Sequence, residues 1–137
     1  MSNIATFLKI VACVPVLVGL LHLVLGLQAD VLLGARLPAA VMTDPALDSQ
    51  NRFYGVAFML YGVVLFVGGS DLKRYLPMVR SALWIFFAAG MARLVSILLY
   101  GWPPPLVMTL LLVEVMGTPL LLMWLARSSP APESPAS

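Results

Sequence analysis

The chain has one cysteine and one histidine in 137 residues. Cys13 alone excludes an internal disulfide and any multi-cysteine metal site. His22, with no second histidine anywhere, cannot belong to a multi-histidine metal set. Charge is scarce too: 10% of the residues are Asp, Glu, Lys or Arg, whereas soluble domains carry about a quarter. There is no glycine-rich phosphate loop and no nucleophile constellation, so no metal, no cofactor and no nucleic-acid partner is expected. The alternating segments of about ten residues that build a membrane β-barrel are also missing.

What fills the chain instead is apolar sequence, 61% hydrophobic with a mean hydropathy of +1.00. Four windows approach bilayer length, at about 4–28, 53–69, 76–100 and 106–126, each near the about 17–25 residues that cross about 30 Å of hydrocarbon. The expectation is an all-α integral membrane four-helix bundle, one domain over residues 1–127. An outer loop spans 29–51, and a polar tail over 128–137 lacks residues able to form a core.

The first window is too long for the apolar region of a signal peptide, and Leu27 occupies a position where cleavage wants a small residue. It is therefore read as a helix of the mature protein. With four spans, Lys9, Lys73, Arg74, Arg80 and Arg127 fall on one side, while Arg36 and Arg52 fall on the other beside Asp30, Asp44 and Asp48. The positive-inside rule then puts both termini in the cytoplasm of a bacterial inner-membrane protein.

Polar residues inside the apolar windows are few. Arg93 is the costliest, since an arginine in hydrocarbon persists only with a partner, a polar cavity or a route to the surface. Glu114 is the acidic residue well inside an apolar segment, and Pro119 follows it, where loss of a backbone donor bends a helix. Pro15, Gly19, His22 and Gly26 share one stripe of the first helix, where small residues admit a neighbouring backbone. His22 reads either as a neutral histidine bonded between helices or as part of a ligand or proton site. The run Asp48-Ser49-Gln50-Asn51-Arg52 is the densest polar cluster. Asp48 is four residues before Arg52 and in reach of it on a helix, so the pair is a structural salt bridge or a ligand contact. Asp44 or Thr43 is suited to cap a turn beginning at Pro45, and the apolar stretch before it to form a short interfacial helix.

At 1.5 Å per residue, Arg93 lies about 12 Å below the helix end at Gly101, Glu114 about 14 Å below Pro105, and His22 about 12 Å below Asp30. Three helices thus bring deep ionisable groups to one level, with Asp48, Gln50, Asn51 and Arg52 as a polar mouth above and Ser96 on the Arg93 stripe. Arg93 and Glu114 are either a structural pair or the centre of a site.

The segments SQNRFYG at 49–55, GMARLVSILLYGWP at 90–103 and VEVMGTPLLL at 113–122 resemble the pattern of the DUF4345 family, small bacterial four-helix membrane proteins. The helix count is also similar to that of DoxX- and DoxD-like proteins. The family resemblance implies a fold and names no activity. The favoured expectation is a non-enzymatic protein that binds a lipid-like or quinone-like molecule, or serves as an accessory subunit, through an outer-leaflet polar pocket. Its ligand-binding candidates are His22, Asp48, Gln50, Asn51, Arg52, Arg93, Ser96 and Glu114. The alternative is a membrane enzyme performing proton transfer or isomerisation on an apolar substrate, with His22, Arg93 and Glu114 as its chemistry. An oligomeric transporter comes third. Partners are then membrane lipids, with a second copy or another membrane protein possible at the small-residue stripes.

Overall fold

In a bilayer each backbone N–H and C=O must be satisfied within the segment or by its neighbours, so a chain this apolar folds as helices. The structure, a computed structural model, describes residues 2–128. In order, it contains α1 (Ser2–Leu25), α2 (Leu27–Leu32), α3 (Ala39–Met42), α4 (Pro45–Ser70), α5 (Leu72–Tyr100), α6 (Pro105–Leu112), a π turn (Val113–Gly117) and α7 (Thr118–Ser128). No strand occurs among the described residues. Four helices are long and apolar enough to cross a membrane, the last being the continuous run Pro105–Ser128. Large apolar side chains such as Ile10, Leu17, Ile85 and Leu98 cover their outside. This is a multi-pass helical membrane protein.

Several element boundaries differ from the expected ones, each for a local reason. The first helix stops at Leu25 and not at residue 28, because Gly26 takes φ +57 and redirects the chain into α2. The second span begins at Pro45, eight residues before 53. Asp44 caps it, accepting from the N–H of Ala46 at 2.8 Å and of Leu47 at 3.1 Å, and Pro45 occupies the first turn, where no donor is needed. Much of the expected 29–51 loop is therefore helical. The third span starts at Leu72, capped by Asp71 through the Arg74 N–H, and runs through Pro77. Ser128, expected in the tail, closes α7; the rest of the tail lies outside the described residues.

α1 and α4 are antiparallel and pack backbone to backbone. A Cβ at Gly19 would stand 2.4 Å from the Gly55 carbonyl oxygen, and one at Gly62 2.7 Å from that of Ala12. The glycine stripes at 19, 55 and 62 are thus spent inside the bundle. A single residue, Asp71, links α4 to α5, which makes them antiparallel neighbours. Gly101, at φ +91, ends α5 before the Trp102-Pro103-Pro104 turn sends the chain back.

The packed core lies at one end of the bundle. Ile4, Leu8 and Ala12 of α1 meet Leu65 of α4, Val79 and Leu83 of α5, and Leu125 of α7. The opposite end, around His22, Arg93 and Pro104, holds two polar-lined cavities, while an apolar cleft lies between α1 and α4 beside Ala12 and Val63.

Candidate functional site

Gly26 is the starting point. Its own N–H still bonds to the His22 carbonyl at 2.8 Å, but its positive φ turns α2 away from the α1 axis. An unbroken helix would separate residues 22 and 30 by about 12 Å along its axis. Instead the side chains meet: His22 Nε2 is 3.3 Å from Asp30 Oδ1. The expected use of Asp30 as a marker for the membrane surface above His22 therefore does not hold. Asn51 of α4 donates from Nδ2 to Asp30 Oδ2, completing a line His22–Asp30–Asn51 across three helices. Asp30 was absent from the candidates because helical periodicity contains no sign of the break. Gly26, isolated between two apolar runs, was the available signal.

Two further residues hold this break in shape. Arg52 Nη1 donates to the carbonyls of Leu23 at 2.7 Å and Val24 at 2.9 Å, satisfying the last turn of α1. Its Nε donates to Asp48 Oδ2 at 2.8 Å, and Asp48 Oδ1 accepts from the Leu27 N–H at 3.2 Å, at the start of α2. A Cβ at position 26 would fall 1.8 Å from that same Oδ1. The Asp48–Arg52 pair is thus a clamp between a helix end and a helix start, set apart from the cavity wall. Gln50 is exposed, and its side chain makes no hydrogen bond among the described residues.

On the far wall, Arg93 of α5 donates from Nε to both oxygens of Glu114, at 2.8 and 3.1 Å. Glu114 is 1% exposed and sits on the π turn. Pro119 has no N–H to offer the preceding turn, and the ladder adjusts: the Thr118 N–H goes to the Val113 carbonyl, five residues back, and the Thr118 hydroxyl approaches the same oxygen at 3.5 Å. A π turn, rather than a simple bend, is how this helix accommodates the proline. Gly90 makes room on α5 for the glutamate.

Only Nε of Arg93 is engaged; Nη1 and Nη2 have no acceptor among the described residues. Arg93 lines two cavities. The larger, about 400 Å³, has His22, Asp30 and Asn51 on its other side and Tyr54, Phe58 and Leu110 among its aromatic and apolar lining. The smaller, about 80 Å³, is bordered by Ser96, Gly101 and Pro103. Beneath, Tyr61 stacks on Phe86 with ring centroids 5.0 Å apart, and its hydroxyl is buried without a hydrogen-bond partner among the described residues.

Of the candidates, His22, Asn51 and Arg93 therefore share one cavity, Glu114 touches it through Arg93, and Ser96 borders the small annex. Asp48 and Arg52 form the neighbouring clamp, and Gln50 faces away from all of them. No group of three or more His, Cys, Asp and Glu side chains suited to a metal ion is found among the described residues. The cavity's size and its mostly apolar lining with a few converging polar groups suit a small organic molecule or a lipid headgroup.

Comparison with curated proteins gave no match, and comparison with solved structures gave none. A family model does match, over residues 4–125, from the start of α1 to the core end of α7. The chain belongs to the DUF4345 family, a domain of unknown function.

Proposed function

We propose that this protein binds a lipid-like molecule whose headgroup enters the cavity between Arg93 and the His22–Asp30–Asn51 line. The observation that carries this reading is Arg93, which lines about 400 Å³ of space and is held by Nε while its Nη groups have no acceptor among the described residues. A guanidinium N–H donating to a ligand oxygen makes a charge-assisted hydrogen bond, stronger than a neutral one. The apolar lining from Phe58 and Leu110 suits the chain or ring attached to such a headgroup. Under the positive-inside rule the cavity opens in the outer leaflet, with both termini in the cytoplasm of a bacterial inner membrane. Binding without turnover, as a carrier or accessory subunit, is the form of activity favoured.

Purification in mild detergent, extraction of retained lipids and their identification by mass spectrometry test the reading. A defined species should recur in stoichiometric amount and be lost in Arg93→Gln. Retention of bulk membrane lipids only, unchanged in the variant, refutes it. A second reading, proton transfer on the bound molecule, draws support from the His22–Asp30 contact on the cavity wall. Incubating the recovered species with protein separates the two, because a ligand that is never altered leaves binding and removes catalysis.

A further inference from the structure

The charged groups of the cavity lining and of the clamp beside it carry no net positive charge among them; Arg36, next to the lining residue Ala35, is exposed. Arg93 is compensated by Glu114, and Arg52 by Asp48. The third set needs a proton count. His22 Nδ1 is 2.8 Å from the Val18 carbonyl oxygen; a carbonyl only accepts, so Nδ1 bears hydrogen. Nε2 then faces Asp30 Oδ1 at 3.3 Å, and a lone pair opposite a carboxylate oxygen makes no bond. A hydrogen between them, on either residue, gives the two a summed charge of zero; without one, Asp30 leaves the pair negative, so in neither case does this wall carry net positive charge. Asn51 adds no charge: its Nδ2 serves Asp30, while its Oδ1 is buried without a partner among the described residues. Tyr54, the remaining titratable lining group, is neutral in its ordinary form.

An anionic headgroup entering this space would find the lining arginine already neutralised by Glu114 and would face the carboxylate of Asp30 on the other wall. A net-neutral headgroup with an acceptor oxygen would meet the two Nη groups without that cost. We infer that the cavity selects net-neutral headgroups that present an acceptor oxygen to Arg93, and discriminates against anions despite the arginine in its wall. This rests on the binding reading and names the ligand class for it.

Three matched probes separate the possibilities: hexadecyl methyl sulfone, which is neutral with two acceptor oxygens; hexadecanesulfonate, permanently anionic with the same chain; and hexadecane, with no acceptor. Each is titrated into full-length protein in zwitterionic lipid discs, with occupancy read by native mass spectrometry and stability by thermal melting. The sulfone should bind at least tenfold more tightly than the sulfonate and raise the melting temperature, with hexadecane weakest. Arg93→Gln should remove the sulfone's advantage over hexadecane. Leu110→Trp, which fills the cavity while leaving the ion pairs untouched, should abolish sulfone binding even if the arginine variant folds poorly. Equal or tighter binding of the sulfonate, sensitive to Leu110→Trp, overturns the neutral preference and leaves the binding reading standing. If no probe binds, or if Leu110→Trp changes nothing, the cavity reading itself is overturned and this inference with it.

Discussion

Gly90 lies directly against Glu114: a Cβ at 90 would stand 2.7 Å from the glutamate's Cβ and 3.4 Å from its Oε2. The close approach lets the carboxylate reach Arg93, one turn along α5. Gly90→Ala should lower stability by about 1–3 kcal/mol through overpacking, despite alanine's better helix propensity. A rise in melting temperature on that substitution would show that α5 does not press on the π turn.

Arg93 and Glu114 should behave unequally when removed singly. Glu114 is fully enclosed, whereas the Arg93 side chain is 38% exposed towards the cavities. Arg93→Ala strands a buried carboxylate and is the costlier change, by about 2–4 kcal/mol. Glu114→Ala leaves a guanidinium that can still turn to the cavity, at a smaller loss. The double variant should recover part of the deficit. A double-mutant cycle on thermal stability checks this, and strictly additive losses would refute the pairing.

The clamp around Gly26 is predicted to be structural. Arg52→Ala, which frees the carbonyls of Leu23 and Val24 and leaves Asp48 without its partner, should cost about 1–2 kcal/mol. It should leave recovery of the cavity ligand intact once the protein is folded. Gly26→Ala should be worse, since φ +57 with ψ −134 is backbone that L side chains rarely adopt, at about 1–3 kcal/mol, and the added methyl meets Asp48. Selective loss of ligand in Arg52→Ala at unchanged stability would instead make the arginine a recognition residue.

What the sequence disclosed follows the same division. Spans are legible because bilayer-length apolar runs have few alternatives, and the Asp44-Pro45 cap because capping chemistry is local, although the helix it opens runs straight into the span expected only from 53. Arg93 and Glu114 stood out because each is expensive where it is. Asp30 and the role of Arg52 did not, because both depend on one positive φ at Gly26, which leaves the hydrophobic pattern on either side unchanged. The π turn was hidden likewise: Pro119 announces that a bond is missing, not how the neighbouring carbonyls are rearranged.

Nitrogen NMR on His22 tests the proton count directly. In the wild-type protein Nδ1 should be protonated, and the Nε2 signal shows whether a hydrogen is shared with Asp30. In Asp30→Asn the amide can donate to Nε2, so His22 should hold the neutral Nδ1–H form. A neutral Nε2–H tautomer in either protein would be incompatible with the Val18 contact.

Orientation can be checked with single cysteines in a Cys13→Ser background. An impermeant reagent applied to intact cells should label Ala46→Cys, at the exposed start of α4, and miss Lys73→Cys, beside the link to α5. The reverse pattern would move the cavity to the cytoplasmic leaflet.

The π turn at Val113–Gly117 also acts as a phase shifter within the last span. One residue beyond the α-helical count rotates everything after it by about 100° relative to a regular helix. Glu114 can then look towards Arg93 while Leu121, Leu122 and Leu125 look towards the core at the other end. The two ends of that span thus answer to different neighbours through a single geared joint. Loss of one residue within the turn would be felt at Leu121, Leu122 and Leu125, about two to three helical turns from the glutamate, as a hydrophobic face rotated out of mesh.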